Sequence, residues 1–154
     1  MRRIAAISLS LVLFLSGVYT ASLFSPRARA QSTYAPIQCN QSVAISSATS
    51  VQIVTAANAN MRVVVCNVSL GSIGGSSFSI VEGTGSVCAT NIKAMGGGTT
   101  AAAGWGIAAN GSPVQFGSGL GPVMSTQVLG DNVCLIVAGT GPLAGTVAFE
   151  QQSY

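Results

Sequence analysis

From about residue 40 to its end, the chain alternates short β-branched runs with glycine-rich breaks, and this pattern limits what it can fold into. Such runs, bounded by Gly, Asn, Ser and Pro, read as strands. The strongest is 61–70, MRVVVCNVSL. On strict alternation Val64, Cys66, Val68 and Leu70 share one face, with Val63 and Val65 on the other, so both faces are expected to be partly covered. Residues 76–82 alternate cleanly, Phe78 and Ile80 against Ser77, Ser79 and Val81. Further candidate strands are 43–46, 51–55, 92–95, 114–116, 123–129, 133–138 and 143–150. In the last of these, Leu143, Val147 and Phe149 share a face.

The breaks carry turn chemistry. Residues 71–75, Gly130-Asp131-Asn132 and 139–142 read as turns. Gly96-Gly97-Gly98, running into two threonines and three alanines, reads as a mobile loop, and Gly104 and Gly106 limit any helical turn there. Short strands at a spacing of about 8–12 residues, with no convincing helix, predict an all-β domain. The expected architecture is an antiparallel β-sandwich of Greek-key type, with a jelly roll as the nearest variant.

The first 30 residues have a different character. Arg2 and Arg3 precede an apolar run from Ile4 to Val18, and Ala28-Arg29-Ala30 supplies a small-x-small cleavage pattern. This reads as a signal peptide that forms a helix and is cut to leave Gln31 first. A retained membrane anchor is the alternative, because the run extends through Leu23 and Phe24 to about 20 residues. Several serines, Gly17 and the Ser25-Pro26 break oppose it. Val18 stands where a lipobox cysteine would be, and the flanks of the paired arginines match twin-arginine export poorly. The expected domains are therefore 1–30, signal, and 31–154, one β domain.

Removing the signal changes the charge. Of six cations, Arg2, Arg3, Arg27 and Arg29 precede residue 31, leaving Arg62 and Lys93 against Glu82, Asp131 and Glu150. The mature chain is thus near neutral, and a nucleic-acid footprint, which needs clustered Lys and Arg, is excluded. A nearly uncharged, hydroxyl-rich surface repels other copies weakly, so self-association is plausible.

Cys39, Cys66, Cys88 and Cys134 all follow the signal. An even count in a small exported domain reads as two disulfides, and sequence leaves all three pairings open. A metal role is a poor fit, because there is no Cys-x-x-Cys and no histidine in the chain. No cofactor is implied.

The missing histidine also removes the commonest general base and the Ser-His and Cys-His nucleophile pairs. A hydrolase would have to use two of Glu82, Asp131 and Glu150 as a carboxylate pair; all three read more simply as solvated strand-end or turn acids. Residues 117–122, Gly-Ser-Gly-Leu-Gly-Pro, lack the Lys and following helix of a phosphate loop and read as a turn. Asn40, Asn67 and Asn110 head glycosylation sequons, which matter only in a eukaryotic secretory pathway. Trp105, between Gly104 and Gly106, is the candidate binding residue. Exposed, it would stack on a sugar or anchor a protein; folded back, it would close an end of the sandwich. Tyr34 and Tyr154 are further candidates for packing or contact.

At RVVVCNVSL, VEGTGSVCATNI and GDNVCLIVAGTGPLAGTVAFEQQ the chain resembles a loose group of small β-rich proteins. These are encoded by proteobacteria and their bacteriophages, often beside virion genes, and lack an established activity. The likeness spans about residues 39–152, with Cys39, Cys66, Cys88 and Cys134 at the matching cysteines, and implies fold and disulfides. The chain departs from the group in carrying an export signal, which argues against a purely intravirion role.

The expected function is that of a non-enzymatic exported protein, periplasmic, secreted or on the cell surface, with a structural, display or adhesion-type role. A carbohydrate-binding module using Trp105 is the alternative. Expected partners are further copies, or a surface glycan or protein.

Overall fold

The computed structural model describes residues 37–153; the signal segment, Tyr34 and Tyr154 lie outside them. These residues form ten strands and two short 3-10 turns, with no α-helix among them. The strands are β1 (Gln41–Ser47), β2 (Val51–Val54), β3 (Met61–Ser72), β4 (Ser76–Thr84), β5 (Thr90–Gly96), β6 (Trp105–Ile107), β7 (Val114–Phe116), β8 (Met124–Ser125), β9 (Asn132–Gly139) and β10 (Leu143–Ser153).

They build two antiparallel five-stranded sheets on one plan. The first runs β1-β10-β3-β7, with β8 also on β3; the second runs β2-β9-β4-β5, with β6 also on β4. Each sheet therefore has a long central strand, a long neighbour, an outer strand, and two further strands sharing the far edge. Consecutive strands β1 and β2, β3 and β4, and β9 and β10 take equivalent places in opposite sheets. The turns between them pass from one sheet to the other, so these neighbours in sequence do not pair.

One hydrophobic cluster draws on both sheets. It includes Ile45, Val63, Val65, Val68, Leu70, Leu143 and Val147 from the first, and Ile53, Phe78, Ile80, Val133 and Leu135 from the second. Phe78 and Ile80 face it as alternation predicts, and Leu143, Val147 and Phe149 do so along β10. Strand β3 departs from the alternation. Asn67 pairs with Ala148 but Val65 pairs with Phe149, so Cys66 is an extra residue, a β-bulge. The bulge reverses the parity: Val63 and Val65 face the same core as Val68 and Leu70, not the opposite side.

The disulfides join Cys39 to Cys66 and Cys88 to Cys134. The first ties the segment before β1 to the bulge of β3. The second ties the 3-10 turn Ser86–Cys88 to β9, within a small cluster of Val81, Cys88 and Cys134 on the other face of the second sheet. They close loops of 27 and 46 residues. By the chain-entropy model each is worth about 3.5–4 kcal/mol.

Two segments differ from the sequence reading. The glycine-rich stretch after β5 lies against β4: the Ser79 hydroxyl donates to the Thr100 carbonyl at 2.7 Å, and Ala101 is buried in the turn Ala101–Ala103. Gly104 sits so close that an added Cβ would strike the Phe78 carbonyl. The expected strand over 123–129 is only Met124–Ser125; the next peptides bond elsewhere, as described below.

In β10, Gly145 has φ +153°, and a Cβ there would lie 1.9 Å from the Ser69 carbonyl oxygen. Gly145→Ala should therefore destabilise the protein by about 1–3 kcal/mol, read as a lowered urea midpoint with unchanged slope.

Candidate functional site

Glu82 lies on the regular stretch of β4 that pairs with β9, two residues beyond Ile80 and four beyond Phe78. Alternation aims it at the same side as those core residues. Its side chain is fully buried, with 0% exposure. It is neither at the strand end nor solvated, which corrects the reading from sequence.

The chain leaving β8 closes over it. Thr126 is buried, donates its N–H to the Val63 carbonyl at 2.9 Å, and accepts the Val63 N–H on its hydroxyl at 3.1 Å. The next two N–H groups, of Gln127 and Val128, donate to the Glu82 carboxylate. Gly130, at φ +81°, donates to the Met61 carbonyl at 2.8 Å. Residues 126–130 thus join β3 of one sheet to β4 of the other through an inward carboxylate. The pairing of β8 thus ends just before the two residues whose N–H groups Glu82 holds.

Asp131 follows this loop and is 3% exposed, so it too is buried rather than solvated. It lines an open depression of about 300 Å³ with Asn91, Ile92, Lys93 and Val128. Lys93, exposed on β5, is the cross-strand partner of Glu82. Burial raises the pKa of Glu82 above the usual carboxylate range, against the two backbone donors; Asp131 adds to the rise and Lys93 opposes it. Burial likewise raises Asp131, and Lys93 again opposes. One oxygen of each acid, Glu82 Oε1 and Asp131 Oδ2, is buried without a hydrogen-bond partner.

Glu150 stands apart on β10 of the other sheet, where its carboxylate accepts the Asn40 N–H at 3.5 Å. The structure thus groups two of the three acids. The parity of 78, 80 and 82 was the sequence signal for the burial of Glu82; nothing local pointed to Asp131, whose burial depends on the loop. Among the described residues no group of three or more His, Cys, Asp or Glu converges as a metal cluster. All four cysteines are in disulfides, so none is a thiol nucleophile.

Trp105 opens β6 and is half-buried. Its ring lies 4.5 Å from that of Phe116 on the first sheet and 5.5 Å from that of Phe78 on the second, both tilted. Gly96 makes room for it, since a Cβ there would meet the indole at 2.5 Å. Trp105 is thus a packing element between the two sheets. Residues 117–122 form a glycine turn, with Gly117 and Gly119 at positive φ and the Gly119 N–H donating to the carbonyl of bulged Cys66 at 3.3 Å.

Trp105→Ala should cost about 2–4 kcal/mol of stability, and the intrinsic emission of this single tryptophan should be blue-shifted in the native protein. The raised carboxylates give a pH signature. An acid whose pKa is higher folded than unfolded contributes stability below its unfolded pKa and loses it as pH rises through the folded one. In buffers free of multivalent ions, urea stability contributed by Glu82 and Asp131 should increase from neutral pH towards the ordinary carboxylate range. Glu82→Gln should flatten that dependence.

The chain matches no protein-family model, and no curated protein or solved structure matches it.

Proposed function

We propose that the chain is an exported, non-enzymatic β-sandwich protein with a structural, surface-display or adhesion-type role that assembles with further copies of itself. The observation that carries this reading is the disulfide pair. Each sheet has a central or neighbouring strand tied to a segment outside the ladder, Cys66 to Cys39 and Cys134 to Cys88. Such bonds persist in oxidising compartments and suit a small domain that must survive outside the cytosol. The N-terminal signal pattern and the near-neutral mature chain agree with it, as does the resemblance to proteins encoded beside virion genes. The glycan-binding reading of Trp105 has less support, because Phe78 and Phe116 already engage the ring.

Expressed from its full gene in a bacterial host, the protein should appear outside the cytoplasm and begin at Gln31. Non-reducing peptide mapping should recover the 39–66 and 88–134 bridges. Light scattering and negative-stain microscopy should show oligomers or particles. A strictly monomeric product would overturn the assembly role, and an uncleaved cytoplasmic one would overturn export.

A further inference from the structure

Sheet edges in native proteins are blunted by shortness, charge, proline or a bulge, because a bare edge pairs readily with another chain. Most edges of this fold follow that rule. β2 has four residues and a register shift against β9, and β5 carries Lys93 and two register shifts against β4. The far edge of the first sheet is divided between the three residues of β7 and the two of β8. β1 is different. Its seven residues pair with β10 in unbroken register on one side, and among the described residues no strand pairs with its other side. Its sequence, QSVAISS, holds no charge, proline or glycine. Ile45 lies in the core cluster and Val43 packs against it, while Ser42, Ala44 and Ser46 on the other face are exposed. An open depression of about 180 Å³ runs between β1 and β2, with Val43, Ile45, Val51 and Ile53 in its walls.

β1 is also nearly palindromic about Ala44, and this points to what fits its edge. Laid antiparallel on a second β1 about a two-fold axis at Ala44, Gln41 meets the partner's Ser47 and Ser42 the partner's Ser46. Val43 then meets the partner's Ile45, and Ala44 the partner's Ala44. No other antiparallel register pairs all seven residues. Residues directly opposite in such a ladder project from the same face. Val43 and Ile45 would therefore meet on the core side and the serines on the outer side, with no like charges opposed. We propose that the chain dimerises through β1 in this register, joining the first sheets of two copies into one continuous sheet. The bare N–H and C=O groups of both edges then find partners. The same patch is used on both copies, so the contact closes at a dimer. This inference rests on the assembly reading above and names its contact. A single strand pair is a small interface, so association should be weak and concentration-dependent.

The test is sedimentation velocity of the exported, disulfide-bonded protein from about 10 to 500 μM. Wild type should pass from monomer to dimer across this range. Ala44 is exposed, so Ala44→Lys and Ala44→Glu should keep the wild-type Tm. Each should nevertheless lose the dimer, because like charges would meet on the axis. Mixed in equal amounts, the two variants should dimerise again. Ala44→Cys should give a disulfide-linked dimer on oxidation, since opposed Cα atoms in a ladder lie about 4.5–5.5 Å apart, within disulfide reach. Ser42→Cys should not, because its copy would stand about 13 Å away along the strand. A wild type that stayed monomeric throughout would overturn this inference together with the assembly reading. A wild-type assembly that persisted in Ala44→Lys and Ala44→Glu would overturn the β1 contact alone. So would a mixture of those variants that stayed monomeric, or cross-linking by Ser42→Cys equal to that by Ala44→Cys.

Discussion

The single extra residue in β3 sets the geometry of the core. Without the bulge at Cys66, strict alternation would place Val63 and Val65 on one face of the sheet and Val68 and Leu70 on the other. One pair would then leave the inter-sheet cluster, losing about 1.5–3 kcal/mol for each side chain that became exposed. With the bulge, both halves of the longest strand line one core. The same residue accepts a hydrogen bond from Gly119 and carries the disulfide to Cys39. The irregular point of the ladder is thus also where the preceding segment and the glycine turn are attached.

Glu82 is the second organising residue, and its effect is opposite in kind. Where alternation calls for another apolar side chain, β4 presents a carboxylate at the edge of the core. The carboxylate accepts the backbone N–H groups of Gln127 and Val128 and so holds the connection between the two sheets across itself. An apolar residue there would be easier to bury, but it could not accept those N–H groups. Local sequence rules are most often broken at sites with a job beyond folding. Glu82 and Asp131 are the two acids that the fold buries, each with one oxygen outside any hydrogen bond.

Trp105, the residue singled out for binding, also packs between the sheets. Glycine at 96 opens the space, and the indole fills it between rings from the two sheets. Much of the fold was legible in local pattern: most strands, their glycine breaks and the inward faces of β4 and β10 follow from periodicity. The site was less legible. The parity of Phe78, Ile80 and Glu82 pointed to burial, but Asp131 sits in Gly-Asp-Asn, a run that by local chemistry is a solvated turn.

By itself the sequence determined that the chain beyond about residue 40 is all-β, that its cysteines pair, and that most of its positive charge lies in the first 30 residues. These are properties of composition and of two-residue periodicity, which neighbouring side chains express without long-range contacts. Only the tertiary structure decided which cysteines pair, where β3 changes parity, that β1 and β2, β3 and β4, and β9 and β10 divide between the sheets, and that Glu82 and Asp131 are buried. Each of these depends on residues distant in the chain coming together. A two-residue periodicity does not record such long-range meetings.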